Sequence, residues 1–344
     1  MDLDGLLLDA AHPEELAGML VASLRLDLPT VCAPPDSPPL SATLVALGLA
    51  PGLGDPANTA VSLPEIEGPR PRKLVDEFSL ANALRAGVAA GGGSEVLVHL
   101  AAIAREAGVA GFAQMMRVVA SETPQADPEW LQEYGVRGLL SSLGNALHDI
   151  LTIAGSLKEN LPPAPPAPGE RSRLDFVRAR ASGAEAVCRV REGVTDPAGE
   201  CRVFGSEKEA VSGVLRGEVG EGALLVVGGC GPRGGPGLLR LDALARSLKE
   251  AGLEVPVLTD GLAPEEALGA WTTLFTPEAA AGGVLSLLRD SDTLRIDLAE
   301  GRIRTGAGDF DSREFGVFPN NAGTAYAARY ARTALPALEG AGFG

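Results

Sequence analysis

A chain of 344 residues, 45% hydrophobic with few aromatics, has material for two domains and a sizeable core, and its 44 glycines follow no fixed period that would mark a fibre. A formal net charge of −16 repels phosphate backbones, and no cluster of Lys and Arg is dense enough to reverse that field, which argues against nucleic acid and anionic membrane as partners. Asp2 and Asp4 stand where a secretory signal would be positive, and no run of about 18 apolar residues exists to span a bilayer, so a cytoplasmic protein is expected.

The chain opens with a short apolar run, Leu6 to Leu8, and then His12-Pro13-Glu14-Glu15. Proline at the first helical position with two carboxylates in the first turn predicts a helix running to Leu26. Thr30 to Ala33 reads as a second strand, so the opening is strand, helix, strand, as in an α/β layer. Residues 34 to 39 are Pro-rich and break it, and a Pro- and Gly-rich stretch from Ala50 to Lys73 leads into a helical block over roughly residues 76 to 148. Leu161-Pro162-Pro163-Ala164-Pro165-Pro166-Ala167-Pro168-Gly169 is a stiff, extended linker by composition. Beyond it the apolar runs are short and β-like: 174 to 178, 185 to 190, 223 to 228, 255 to 258, 284 to 288 and 293 to 298. Ser206 to Leu215 is a helical interlude with a capping-box pattern at Ser206 and Glu209, and Asn320 to Leu338 reads as one closing helix. The expected fold class is α/β: an α/β amino-terminal domain over 1–160, a linker at 161–172, a β-barrel-like domain over 173–310, and a closing helix and tail over 311–344.

Four segments carry most of the functional information: Gly231-Pro232-Arg233-Gly234-Gly235-Pro236-Gly237, Pro256-Val257-Leu258-Thr259-Asp260-Gly261, Thr276-Pro277-Glu278 through Gly283, and Leu288 through Asp297. Their order and spacing resemble the carboxy-terminal half of the dihydroxy-acid and phosphogluconate dehydratase family. The likeness extends to Asn82-Ala83, to Gly91-Gly92-Gly93-Ser94 with the helical run to Val109, to Leu157-Lys158-Glu159-Asn160 and to Tyr326 through Ala331. The resemblance implies an α/β domain followed by a β-barrel-like domain, an active site in the cleft between them, a homodimer, and dehydration of dihydroxy acids or sugar acids with an iron-sulfur cluster and Mg. Family members are considerably longer; this chain is expected to begin late in their amino-terminal domain and to lack a block after Pro35.

The family's cluster-binding cysteine, followed by Asp and a modified Lys that bind Mg, corresponds to Leu7-Leu8-Asp9-Ala10, so cysteine has become Leu8, lysine Ala10, and Asp9 alone keeps its identity. The other two family cysteines fall upstream of this chain and in the block ending near Ser41 to Leu49, while Cys32 corresponds to the end of a strand. The metal-binding glutamate expected after the glycine turn is Arg240, and the serine proposed as base is Pro264 in Leu262-Ala263-Pro264-Glu265-Glu266. The resemblance therefore implies a cleft lined by Asp9, Gly231, Arg233, Gly234, Gly235, Arg240, Thr259, Asp260, Gly261 and Pro264, with no cofactor expected in it.

Dehydration of this kind needs an acid to activate the leaving hydroxyl and a base to take the α-proton. The remaining candidates are Asp9, Cys230, Glu265 and Glu266. Nearby amides and Arg233 would favour a thiolate at Cys230, although no base is identifiable beside it, and Glu265 and Glu266 also suit the first turn of a helix. Gly229-Cys230-Gly231-Pro232-Arg233-Gly234 matches GxGxxG, but Pro232 and Pro236 oppose the helix a dinucleotide cradle requires. The four cysteines, 32, 188, 201 and 230, have no C-x-x-C spacing; His99 sits on an apolar helix, and His148-Asp149 are neighbours in sequence only. Two functions stay open: a catalytically silent homologue that binds a small hydroxy acid or associates as a homodimer or with a full-length paralogue, and an active hydro-lyase with a rebuilt site.

Overall fold

The computed structural model describes residues 4–10, 13–33, 35–51, 68–179, 183–191, 196–235, 237–264, 267, 269–306, 313–314, 316 and 323–343. The chain divides into two compact units, 1–173 and 174–344.

The first unit opens as strand, helix, strand. Strand β1 (Leu6–Leu8) pairs in parallel with β2 (Thr30–Cys32), and α1 (Pro13–Leu26) crosses between them. Leu16, Leu20 and Leu24 recur at a spacing of four and are all buried, which supplies the apolar stripe that makes α1 fold against its neighbours. The Pro-rich stretch breaks the strand but also starts a helix, α2 (Pro38–Ala46), because proline is tolerated where no amide donor is needed. A short α3 (Pro71–Leu74) precedes α4 (Glu77–Ala89). Asp76 caps α4 by accepting from the Phe78 and Ser79 amides, while the Ser79 hydroxyl accepts from the Asp76 amide. Helix α4 is buried on most of its surface and packs against α2 and α6 (Phe112–Glu122), with α5 (Ser94–Ala107) alongside. The helical block is thus present, interrupted by β3 (Gln125–Ala126) and completed by α7 (Pro128–Leu143), which breaks at Gly135, and by the hairpin β4 (Leu151–Thr152) and β5 (Gly155–Ser156).

The second unit is an eight-stranded closed sheet among the described residues. Strands β6 (Glu170–Ala179), β7 (Ala184–Arg191), β8 (Ala198–Phe204), β9 (Ala223–Val227), β10 (Val257–Thr259), β11 (Trp271–Thr276), β12 (Thr293–Asp297) and β13 (Arg302–Thr305) run β13-β12-β8-β9-β10-β11-β7-β6, and β13 returns to β6 through Arg302 and Arg178. The α/β class with a barrel-like second half is therefore observed. Its middle, β8-β9-β10-β11, is parallel. Inside, Val177, Leu224, Val226, Leu258, Phe275 and Leu294 belong to one dry cluster. Outside, α8 (Glu207–Leu215) and α9 (Asp242–Glu250) pair with each other, and residues of both share a second cluster with Leu225, Val227 and Val257. Ser206 caps α8 by accepting from the Glu209 amide, and the Glu209 carboxylate reaches back to the Gly205 amide, one residue before the expected partner.

Two sequence expectations change here. Residues 284 to 288 form a 3-10 turn at Val284–Leu287, not a strand: a short buried apolar run has no periodicity to separate the two, and the Ser286 hydroxyl donates to the Gly283 carbonyl to fix the turn. The closing helix is shorter, α10 (Ala325–Thr333), because Pro336 cannot continue it, and a 3-10 turn at Ala337–Glu339 follows. No helix among the described residues is long and apolar enough to cross a membrane.

Candidate functional site

The carboxyl ends of the parallel strands β9 and β10 feed the two loops that hold most of the sequence-predicted site. In open α/β sheets ligands gather outside such strand ends, and the same physics applies here: backbone groups released from the ladder become available to bind. The loop after β9 folds back on itself and is tied to the loop after β10 through backbone hydrogen bonds. The Leu239 amide donates to the Cys230 carbonyl at 2.9 Å, the Leu262 amide to the Leu239 carbonyl at 2.8 Å, and the Leu241 amide to the Leu262 carbonyl at 3.1 Å. Arg240 consequently stands in a parallel bridge with Leu262, two residues from Pro264. The two loops therefore carry Arg240 and Pro264, the residues expected from the resemblance to stand where the family has a metal-binding glutamate and a serine base.

Asp260 is the staple of the arrangement. Fully buried, its carboxylate accepts from the amides of Gly229 at 3.1 Å, Cys230 at 2.8 Å and Ala279 at 3.0 Å, so one side chain joins three backbone positions from two segments. Burial raises its pKa, and the amide donors oppose that shift. Thr259 accepts from the Gly261 amide at 3.0 Å and closes the turn. Gly231 is required by contact: a Cβ there would lie 2.6 Å from Glu278 Cγ and 3.2 Å from the Asp260 carbonyl oxygen. Gly231, Gly235, Thr259, Asp260, Gly261 and Pro264 are all buried; they form a packed knot that shapes the strand ends. Arg233 and Gly234 are half-buried and Arg240 is exposed.

The cations of the site have partners. Arg240 Nε lies 3.1 Å from Asp242 Oδ1 in an exposed ion pair, and Arg233 Nε donates to the Ala334 carbonyl at 2.9 Å. Cys230 is 1% exposed, and burial with the nearby Asp260 charge pushes its thiol up to about 12. The expectation that local amides and Arg233 would favour its thiolate does not match this environment: desolvation is the largest influence, and Arg233 is turned to Ala334. Asp9 belongs to the first unit, where it is exposed just after β1, beside the buried Leu8. Glu265 and Glu266 lie outside the described residues.

The glycine motif makes no dinucleotide cradle, because the next helix after it, α9, begins only at Asp242. His148 and Asp149 also diverge. His148 is held through its backbone by Asn82 and stacks its ring near Phe78 at 4.9 Å, whereas Asp149 accepts from the Ser156 hydroxyl and the Lys158 amide, the first of which chiefly lowers its pKa.

An iron-sulfur cluster needs several cysteine thiolates converging on one site, and among the described residues the four cysteines do not converge with one another or with other ligand side chains on such a site. All are buried. Burial pushes Cys32 and Cys201 up to about 12 and Cys188 up to about 11, and Cys188 and Cys201 are packed in the barrel interior. Among the described residues no three of His, Cys, Asp and Glu lie together as a metal site. Magnesium requires oxygen ligands, and a guanidinium at position 240 supplies none.

Sequence reasoning missed Glu278. It stands in the Thr276 to Gly283 motif but received no role, and Leu274-Phe275 before it with Ala279 to Ala281 after it are too short a flank to announce a buried charge. It is fully buried, and among the described residues neither carboxyl oxygen has a hydrogen-bond partner.

Comparison with known proteins gives a consistent family. Residues 55–157 match the profile of the dihydroxy-acid/6-phosphogluconate dehydratase N-terminal domain, and residues 180–341 match that of the C-terminal domain. The chain is 32% identical over 256 residues to a dihydroxy-acid dehydratase of Citrifermentans bemidjiense, covering 66% of this chain and 46% of the relative. It is 31% identical over 264 residues to one of Aquifex aeolicus, covering 68% and 48%, and 29% identical over 325 residues to one of Akkermansia muciniphila, covering 83% and 57%. The chain spans about half the length of the curated relatives it matches.

Proposed function

Because this chain belongs to the dihydroxy-acid/6-phosphogluconate dehydratase family, we propose that it is a non-catalytic member that binds a small hydroxy acid instead of dehydrating it. The observation that carries this reading is the bridge between Arg240, on the loop after β9, and Leu262, two residues before Pro264 on the loop after β10. An arginine at pH 7 is a permanent cation that neither coordinates a metal nor accepts a proton, and a proline side chain accepts none either. The acid and the base of a dehydration have no counterpart at these two positions.

What the pair offers is recognition. A guanidinium meets a carboxylate through two parallel hydrogen bonds, so Arg240 answers the charge of a hydroxy acid directly. Its present partner, Asp242, is about half exposed, and such surface pairs are worth about 0–1 kcal/mol, so a ligand carboxylate can displace it. In this reading the chain works in the cytoplasm, where reduced thiols such as its four free cysteines persist, either alone or beside a longer dehydratase of the same family.

The test combines a metal analysis with a binding measurement. Protein purified anaerobically is expected to contain neither iron nor acid-labile sulfide and to have no visible chromophore. Calorimetry against a panel of dihydroxy and sugar acids should find a ligand whose affinity falls about tenfold or more in Arg240→Glu, as expected when a charge-assisted carboxylate contact is reversed. A stoichiometric cluster, or turnover of any panel member at a rate lost on substituting Asp9 and Cys230 together, overturns the reading in favour of an active hydro-lyase.

A further inference from the structure

Glu278 is enclosed by three segments, each with a stated contact. Gly231 of the turn after β9 packs on its Cγ so closely that no methyl group fits between them. The loop after β10 brings Asp260, already committed to three amides. The carboxy-terminal segment brings the Ala337 amide, which favours the charged form without meeting hydrogen-bond geometry, and the phenol of Tyr330, whose hydroxyl donates to the Ala341 carbonyl at 2.6 Å. The charged or titratable groups that act on Glu278 are therefore Arg233, Asp260 and Tyr330.

A fully buried carboxylate with no donor is strongly disfavoured against its neutral acid. Burial is the main influence raising Glu278, Asp260 adds to it, and Arg233 opposes it. Asp260 is raised by burial as well, but its three amide donors favour the charged form, a support in hydrogen-bond geometry that Glu278 lacks. Arg233 meanwhile spends its Nε on the Ala334 carbonyl, which pins the start of the segment Ala334–Ala341 to the glycine turn.

We infer that Glu278 is a proton-held latch on the carboxy-terminal segment: as the neutral acid it packs beneath the glycine turn and leaves Arg233 on the Ala334 carbonyl, and as the carboxylate it draws that guanidinium away and frees the segment. The inference does not depend on whether the site binds or transforms its ligand. Its sign is fixed by linkage. A carboxyl whose folded-state pKa is raised contributes stability that is complete below the ordinary carboxylate range and is lost as pH rises to and through the raised value.

The experiment is a pH series of thermal unfolding on the full chain, wild type against Glu278→Gln and Glu278→Leu. Both variants are uncharged at position 278, so groups that do not couple to Glu278 contribute equally to all three curves, and Asp260, which does couple to it, titrates alike in the two variants. Within the titration window the wild type is expected to lose about 2–4 °C per pH unit relative to either variant. Hydrogen exchange of residues 334–342, corrected for intrinsic rates, should accelerate with pH in the wild type alone. Should one variant fail to fold, the other supplies the reference. Parallel curves overturn the latch, as does a wild type that gains on the variants with rising pH, which means that Arg233 already pairs with the carboxylate. Stabilisation by potassium or sodium chloride beyond that of tetramethylammonium chloride, lost in both variants, overturns it in favour of a bound cation.

Discussion

Asp260 and Cys230 are adjacent in space and opposite in kind. The carboxylate has three amide donors and is structurally committed, whereas the thiol, with a weak contact from Sγ to the Gly228 carbonyl at 3.7 Å, sits largely among apolar neighbours. A thiol held at about 12 is roughly one part in ten thousand thiolate at pH 8, and the other three cysteines are held nearly as high. Native protein at pH 8 should therefore resist a disulfide exchange reagent at all four cysteines over minutes and release four equivalents once denaturant is added. Rapid native labelling of one equivalent, mapped to Cys230, would restore it as a candidate nucleophile.

At the scale of the element, the glycine turn is specified by exclusion. Gly231 faces Glu278 Cγ at 2.6 Å from where its Cβ would be, so Gly231→Ala is expected to cost about 1–3 kcal/mol by overpacking. Glu278→Ala opens the space that the added methyl would occupy. The double variant should be more stable than the sum of the singles by about 1 kcal/mol or more in chemical denaturation, and strict additivity would mean that the two residues do not press on each other. This turn was legible in the sequence because its residues have a distinctive order. Glu278 was not, because burial of a carboxylate is decided by segments that meet only in three dimensions: the glycine turn, the loop after β10 and the segment after α10. Strands β8, β11 and β13 escaped for a related reason. Ala198–Phe204 and Arg302–Thr305 carry charged residues among few apolar ones, and pairing with β9 and β12 makes them strands where their own pattern does not. The opening strand, helix, strand was readable because Pro13 and the leucine stripe of α1 are local signals.

For the second unit as a whole, a filled barrel decides where a ligand can go. Phe275, Leu258, Val226 and Leu224 occupy the interior with almost no exposure, so the barrel is a core, and under the proposed function the strand ends carry the recognition surface. Phe275→Ala should lower stability by about 3–5 kcal/mol in chemical denaturation. Below its new midpoint the folded fraction should bind the hydroxy acid within about twofold of wild type, because the cavity lies inside the wall and Arg240 outside it. A large loss of affinity in folded protein would mean that the ligand reaches the interior.

The barrel closes where β13 meets β6, through the single partnership of Arg302 with Arg178. Strand β3, made earlier, pairs with the start of β6 at Glu170 and Ser172, but the stretch around Arg178 waits for nearly the whole unit to follow before β13 reaches it. Until β13 arrives, that open stretch is a template for any extended chain nearby. The two arginines at the seam bring their own counter-charges, Glu185 for Arg178 and Glu300 for Arg302, so the last rung of the wall closes without setting bare like charges against each other.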